Sequence, residues 1–156
     1  MHINPDHFLE TPNGRVTTPE RNAEAWVRCY EALDSALATA NPSTRVFVLV
    51  GAQGSGKSTW ARGKHIDEPD AIFFDAILVR RSERKPILDK ARAHGIPAVA
   101  VWFRTPLDVC LARNRARPAD EVADEHGIRN VFAAIERPTI LEGFEQIIAV
   151  EWTGER

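Results

Sequence analysis

The chain has 156 residues, 44% apolar and 27% charged, a size and balance that suit one soluble globular domain with a core of its own. Its formal net charge is −2 and its pI about 6.2, which excludes a broad polyanion-coating surface but not a local basic groove. Two cysteines, Cys29 and Cys110, are too few for a disulfide framework and stand alone, as free thiols in a reducing cytoplasm would.

Residues 1–18, with Pro5, Pro12 and Gly14, read as an irregular arm, and "MHINPDHFLE" lacks the layout of a signal peptide. A helix is predicted from Pro19, with Thr18 as its cap and Glu20 in its first turn. Ala23, Trp26, Val27, Tyr30, Leu33 and Leu37 recur at helical spacing and predict its buried face. Asn41-Pro42 stops it. "RVFVLV" is a β-branched run without alternation, the pattern of a parallel strand covered on both faces. The apolar runs Val46–Val50 and Ile96–Phe103 are too short to cross a bilayer, so no membrane partner is expected.

A glycine-rich loop follows that strand, and a helix is predicted from about Lys57. "AIFFD" is a second buried strand ending in Asp75. Ser82–His94 reads as a helix closed by Gly95, and "IPAVAVWF" as a third strand. Thr105 and Pro106 then open a helix carrying "CLARNRARP" as far as Pro118. An acidic loop, "ADEVADEHG", leads to a helix over Ile128–Glu136, and "QIIAVEW" is the last strand. Alternating strands and helices predict an α/β fold: a parallel sheet of about four strands with helices on both faces. Residues 1–44 are expected to form an arm and an amphipathic helix packed on the core, and residues 45–156 the main domain.

"LVGAQGSGKSTWAR" has the Walker A spacing, with Gly51, Gly56, Lys57 and Ser58 between a strand and a helix. Gly51, Ala52, Gln53, Gly54, Ser55 and Gly56 can curl backbone N–H groups round an anion at a helix N-terminus. Lys57 would reach the β- and γ-phosphates of ATP, and Ser58, followed by Thr59, would hold Mg²⁺. The motif fixes phosphate binding and leaves the reaction open, since motors, switches and kinases share it.

Asp75 ends a strand, and ligands in such sheets sit beyond the strands' carboxyl ends. It can hold the Mg²⁺ shell or take a proton from an acceptor hydroxyl. Arg113 and Arg117, four apart, share a helix face that can neutralise a transferring phosphate, while Arg115 points elsewhere. Trp60 and Trp102 lie in core-like segments and read as packing.

From Arg45 to Trp152 the ordered set "GSGKSTWAR", an aspartate-ended strand, "ARAHG", "LARNRAR" and Pro138, Thr139, Glu142, Gly143, Phe144 resembles 5′-hydroxyl polynucleotide kinases. The relatives in question are the phage type and the kinase domain of polynucleotide kinase-phosphatases. The resemblance implies a P-loop kinase with Lys57, Ser58 and Thr59 at the nucleotide and metal, and Arg113 and Arg117 in a lid. It implies a nucleic-acid 5′ end as the hydroxyl acceptor. The chain departs from that pattern in one respect: it has room for one aspartate-ended strand between the loop helix and "ARAHG" where relatives have two, and Leu78 stands where an arginine is expected. A small-molecule kinase, and an ATP-binding module with an abridged acceptor site, are the alternatives. No protein partner can be named from these residues.

Overall fold

In the computed structural model, which describes residues 1–154, the first element is a strand. β1 (His2–Ile3) is followed by a 3₁₀ turn at Pro5–Phe8 and a small hairpin of β2 (Glu10–Thr11) and β3 (Gly14–Arg15). Then come α1 (Pro19–Ala38), β4 (Val46–Val50), α2 (Lys57–Asp67), β5 (Ile72–Asp75) and α3 (Arg81–Ala93). β6 (Ala98–Phe103), α4 (Leu107–Arg115), α5 (Glu125–Ala133) and β7 (Gln146–Val150) complete the chain. Among the described residues no helix is long and apolar enough to cross a membrane.

β1, β5, β4, β6 and β7 form, in that order, a sheet in which every pairing is parallel. The α/β architecture expected from the alternation of elements is present, with one strand more than the four that were legible. The fifth comes from the segment read as an irregular arm: His2 and Ile3 pair with Phe73 and Phe74 on the open edge of β5. A two-residue strand carries no periodicity to read, so only the pairing reveals it.

β4 is buried along its whole length because helices cover both faces. On one face, Cys29, Leu33 and Leu37 of α1 and Ile87, Leu88 and Ala91 of α3 pack on Val46, Val48, Val50 and Phe74. On the other, Ala61 and Trp60 of α2 meet Phe47, Leu49, Phe73 and Phe103. The buried row of α1 is Ala25, Cys29, Leu33 and Leu37; of the predicted residues Leu33 and Leu37 are in it and Trp26 and Tyr30 pack against the same core, whereas Ala23 and Val27 lie beyond its edge and are exposed. Thr18 does cap α1, accepting from the Arg21 N–H at 3.1 Å.

Other boundaries move for local reasons. α5 starts within the acidic stretch, at Glu125, because the Asp124 carboxylate caps it by accepting from Gly127 N–H. α4 begins at Leu107 and ends at Arg115, short of Pro118. The Thr105 hydroxyl does not cap α4; it donates to the carbonyl of Ser55 at 2.8 Å and ties the end of β6 to the glycine-rich loop.

Arg84 of α3 is fully buried, and every nitrogen of its guanidinium donates a hydrogen bond. It donates to the carbonyls of Leu78 and Val79, and as a fork to Glu142 at 2.9 and 3.0 Å. Glu142 also accepts from Thr139 N–H. The Thr139–Phe144 turn, noted in the sequence for its pattern, is thus a clamp on the segment that leaves β5. Arg84→Met leaves Glu142 without its partner and is expected to cost about 3–5 kcal/mol, of which adding Glu142→Leu should restore a large part. Urea denaturation of the wild type and the two variants checks this. A double variant no more stable than the single one would mean that the Leu78 and Val79 carbonyls, not Glu142, make Arg84 indispensable.

Candidate functional site

Parallel strands bring all five carboxyl ends to one edge, and the loop Gly51–Gly56 lies across its middle, between β4 and α2. Gly54 and Gly56 have φ of +82° and +102°, left-handed values that glycine adopts without strain. A Cβ on Gly54 would stand 2.5 Å from the backbone oxygen of Cys110, so α4 presses directly on the loop. Gly51 is equally confined, against Ser55 Oγ and Phe103. Ala52 is buried with Cys110, Leu111 and Ile128, which anchors the loop beneath α4 and α5. Gln53 Oε1 and Ser55 Oγ are buried polar atoms with no hydrogen-bond partner among the described residues. Curled backbone N–H groups, a helix N-terminus and the unpartnered Ser55 hydroxyl, which can donate, fit a bound polyphosphate; the Gln53 amide oxygen, an acceptor only, does not contribute to that fit.

Lys57 enters α2 with its side chain almost fully buried, and Nζ donates to the carbonyls of Gly51 at 2.8 Å and Ala76 at 3.2 Å. Burial lowers its pKa, against the opposing charges of Asp75 and Asp6. The fold is that of a P-loop NTPase. Residues 64–138, just under half of the chain, match a family model described as an AAA domain; the matched span starts inside α2, after the loop. No curated protein matches the chain. A P-loop nucleotide-binding domain is what the loop's geometry and this similarity have in common.

Asp75 ends β5 beside the loop, as its place on a strand end requires. Its Oδ2 accepts from Ser58 Oγ at 2.5 Å, and lies 2.7 Å from His2 Nε2 and 3.3 Å from Asn4 Nδ2. Burial opposes the charge, yet the hydrogen bond from His2, the Lys57 ammonium and the Ser58 hydroxyl outweigh it and hold the carboxyl below its usual range. Ser58 and Asp75 together offer a hydroxyl and a carboxylate, hard oxygen donors of the kind Mg²⁺ takes while keeping waters and phosphate oxygens as its other ligands. Sequence reading found both residues and missed His2 and Asn4, which lie more than seventy positions away and reach Asp75 only because β1 joins the sheet.

Two cavities flank the loop. One, of about 670 Å³, lies towards β7 and is walled by Trp60, Phe103, Val150 and Trp152. Flat apolar walls of this kind suit a nucleobase. The other, of about 910 Å³, lies on the β1 side, between the loop, Asp75 and the N-terminal segment. Gly54, Ser55, Gly56, Thr59 and Arg117 line both. Trp60 therefore serves the core and a cavity wall at once, whereas Trp102 lines neither and carries the guanidinium groups of Arg104 and Arg137 on its ring.

Arg113 donates to the Gly54 carbonyl at 3.3 Å. Arg117 is not on the same helix, as its spacing suggested: it follows the end of α4, and this turn lets it border both cavities. Arg115 points away and pairs with Glu125. Asn114, fully buried and unremarked in the sequence, holds the backbone of Ala123 through both its amide atoms, and so fixes the segment after Arg117.

Gly54→Ala is expected to destabilise the protein by at least about 2 kcal/mol, from the left-handed φ and the contact with Cys110 together. Gly63→Ala, in α2 with open space around it, should stabilise by about 0.5–1 kcal/mol. Chemical denaturation of both variants checks the pair; a tolerant Gly54→Ala would mean that α4 can lift off the loop at little cost.

Proposed function

We propose that the chain is an ATP-dependent phosphotransferase that moves the γ-phosphate to a hydroxyl acceptor. The observation that carries this reading is the pair of cavities meeting at one loop, with Arg117 on the border of both. A hydrolase needs only room for water beyond the γ-phosphate. A transferase needs a second site of molecular size on the far side of the phosphates, and the β1-side cavity is of that size.

In this reading the nucleoside lies towards Trp152 and the phosphates run along Gly51–Gly56 to Lys57. Ser58 and Asp75 hold Mg²⁺, which when bound screens the phosphate charges and orients the γ-phosphate. Three donors converge on one oxygen of Asp75 and its carboxyl is a weak base, which supports the metal-shell role over proton abstraction. Arg113, through the Gly54 carbonyl, steadies the loop. Arg117 offers its fork to the phosphate in passage.

The resemblance in the sequence makes a nucleic-acid 5′ end the first acceptor to test. The lining of the acceptor-side cavity favours a second reading, a small polyhydroxylated compound. Asp6, Glu83, Asp120 and Glu121 stand there among Arg15, Arg62 and Arg117, a mixed surface that would repel the following phosphates of a strand.

Two outcomes are expected. Mg-ATP at 100 times its dissociation constant should add about 2.7 kcal/mol to stability, and Lys57→Ala should remove most of that gain. Thermal denaturation with and without Mg-ATP measures it, and an unchanged melting temperature in the wild type would sink the reading. Arg117→Ala should lower transfer by on the order of 10³–10⁵ while changing ATP affinity little. Arg117→Lys should recover little, and Arg115→Ala should be mild. Labelled γ-phosphate transfer to 5′-OH oligonucleotides, nucleosides and sugars provides the assay, and equal losses at Arg115 and Arg117 would reduce the lid to a generic basic surface.

A further inference from the structure

An acceptor hydroxyl must give up its proton, and Asp75 is badly placed to take it. Its Oδ2 is shared by His2, Asn4 and Ser58, and the same carboxylate is the one placed beside Ser58 to hold the metal. Four other carboxylates line the acceptor-side cavity. Two are committed to holding backbone: Glu83 accepts from Arg80 N–H at the start of α3, and Asp120 accepts from Arg15 N–H. The other two, Glu121 and Asp6, share the Arg15 guanidinium. Of these, Asp6 is the one tied to Asp75 through a shared side chain, that of Asn4.

Asp6 lies just beyond the carboxyl end of β1, at the same edge of the sheet as Asp75 and the loop. Asn4 sets its position from two sides. The Asn4 side chain accepts from Asp6 N–H at 2.9 Å and donates to Asp75 at 3.3 Å, so one amide joins the two aspartates. Pro5 fixes the backbone between them, at the start of the 3₁₀ turn. Asp6 and Lys57 line the same cavity, and the charge of Asp6 opposes the effect of burial on the Lys57 ammonium. Its side chain is half-exposed, and among the described residues Arg15, 3.4 Å away, is the ion-pair partner of the carboxylate. It is thus open to a ligand.

We propose that Asp6 is the proton acceptor of the transfer, delivered to the site by β1. The inference rests on the phosphotransferase reading and adds to it a catalytic residue from outside the segment that carries the loop. In the step, the acceptor oxygen forms a bond to the γ-phosphorus as its proton passes to the Asp6 carboxylate. The bond from phosphorus to the β,γ-bridging oxygen breaks, and its electron pair leaves with ADP. The proton on Asp6 then passes to water, to which the half-exposed side chain has access.

The test uses the full chain as wild type, Asp6→Asn, Asp6→Glu and Asp75→Asn. Asp6→Asn should lower transfer to the best acceptor by about 10²–10⁴-fold, with the Mg²⁺ requirement unchanged. Asp75→Asn should instead raise the Mg²⁺ requirement. Asp6→Glu keeps the charge but shifts the carboxylate, and should fall between the wild type and Asp6→Asn. A second readout needs no acceptor. Removing a negative charge beside the γ-phosphate should raise the affinity for Mg-ATP relative to Mg-ADP by about threefold or more in Asp6→Asn, measured by calorimetry. Transfer within about twofold of wild type in Asp6→Asn would overturn the role of Asp6 and leave the phosphotransferase reading standing. A wild type that binds Mg-ATP but phosphorylates no acceptor would overturn that reading and the base role with it; the ATP-to-ADP ratio would then say only whether Asp6 faces the γ-phosphate.

Discussion

One carboxylate oxygen, Asp75 Oδ2, gathers hydrogen bonds from three residues on two distant segments. Ser58 comes from the first turn of α2, and His2 and Asn4 from β1 and the residue after it. That convergence exists only because β1 and β4 both flank β5 in parallel. Parallel pairing puts Ile3, Leu49 and Asp75 at neighbouring levels, so the residues that follow each strand emerge at one edge. Without β1, Asp75 would keep Ser58 and Lys57 but lose two of its donors, and the cavity beside it would lose a wall. The N-terminal segment is therefore part of the site and not a cover laid over it.

Two buried cations are stabilised in different ways. Arg84 donates from every guanidinium nitrogen: a forked pair with Glu142 and two carbonyls leave it structurally occupied. Lys57 has two carbonyls and two nearby carboxylates, and its pKa is lowered by burial. An ammonium so placed gains from an added anion far more than a solvated one would, since the cost of desolvation has already been met by folding. The same contrast separates Arg115, paired on the surface with Glu125, from Arg117 on the border of both cavities. Charge alone does not mark a functional cation; the neighbours that remain to be satisfied do.

The central parts of the fold were legible in the sequence because they are written locally. β4, β5 and β6 are runs of apolar residues, and Gly51–Ser58 is a contiguous motif whose glycines answer to positive φ and to close contact with Cys110. What escaped depends on contacts between distant segments. β1 is two residues long and defined by its partner. On α1 the spacing found Trp26, Tyr30, Leu33 and Leu37 but put Ala23 and Val27 in the core in place of Ala25 and Cys29, since apolar residues on both edges of the row fit a helical period equally well. Thr105 looked like a helix cap and holds the loop instead, since a hydroxyl at a strand end can choose between the next helix and a neighbouring carbonyl. Asn114 and Arg84 gave no signal, because a polar residue within a helical pattern reads as exposed until its buried partners are known.

The hairpin and the lid are linked across the acceptor-side cavity. Arg15 donates its N–H to Asp120 at 2.8 Å, and its guanidinium faces Asp6, Glu10 and Glu121. Asp120 and Glu121 follow Arg117 after Pro118 and Ala119, in a turn that Asn114 braces through Ala123. Arg15 thus connects Asp6 on the floor of the cavity to the segment that carries Arg117 over it. Individually these half-exposed ion pairs contribute little to stability. Their effect is geometric: displacement of the lid would pull on the hairpin, and a ligand that drew Asp6 away from Arg15 would loosen the lid's tether. In the phosphotransferase reading proposed above, such an arrangement would link the position of Arg117 to the occupation of the cavity next to it. On that reading a transferase would gain from the link, because an arginine held over the phosphates with no acceptor present favours transfer to water.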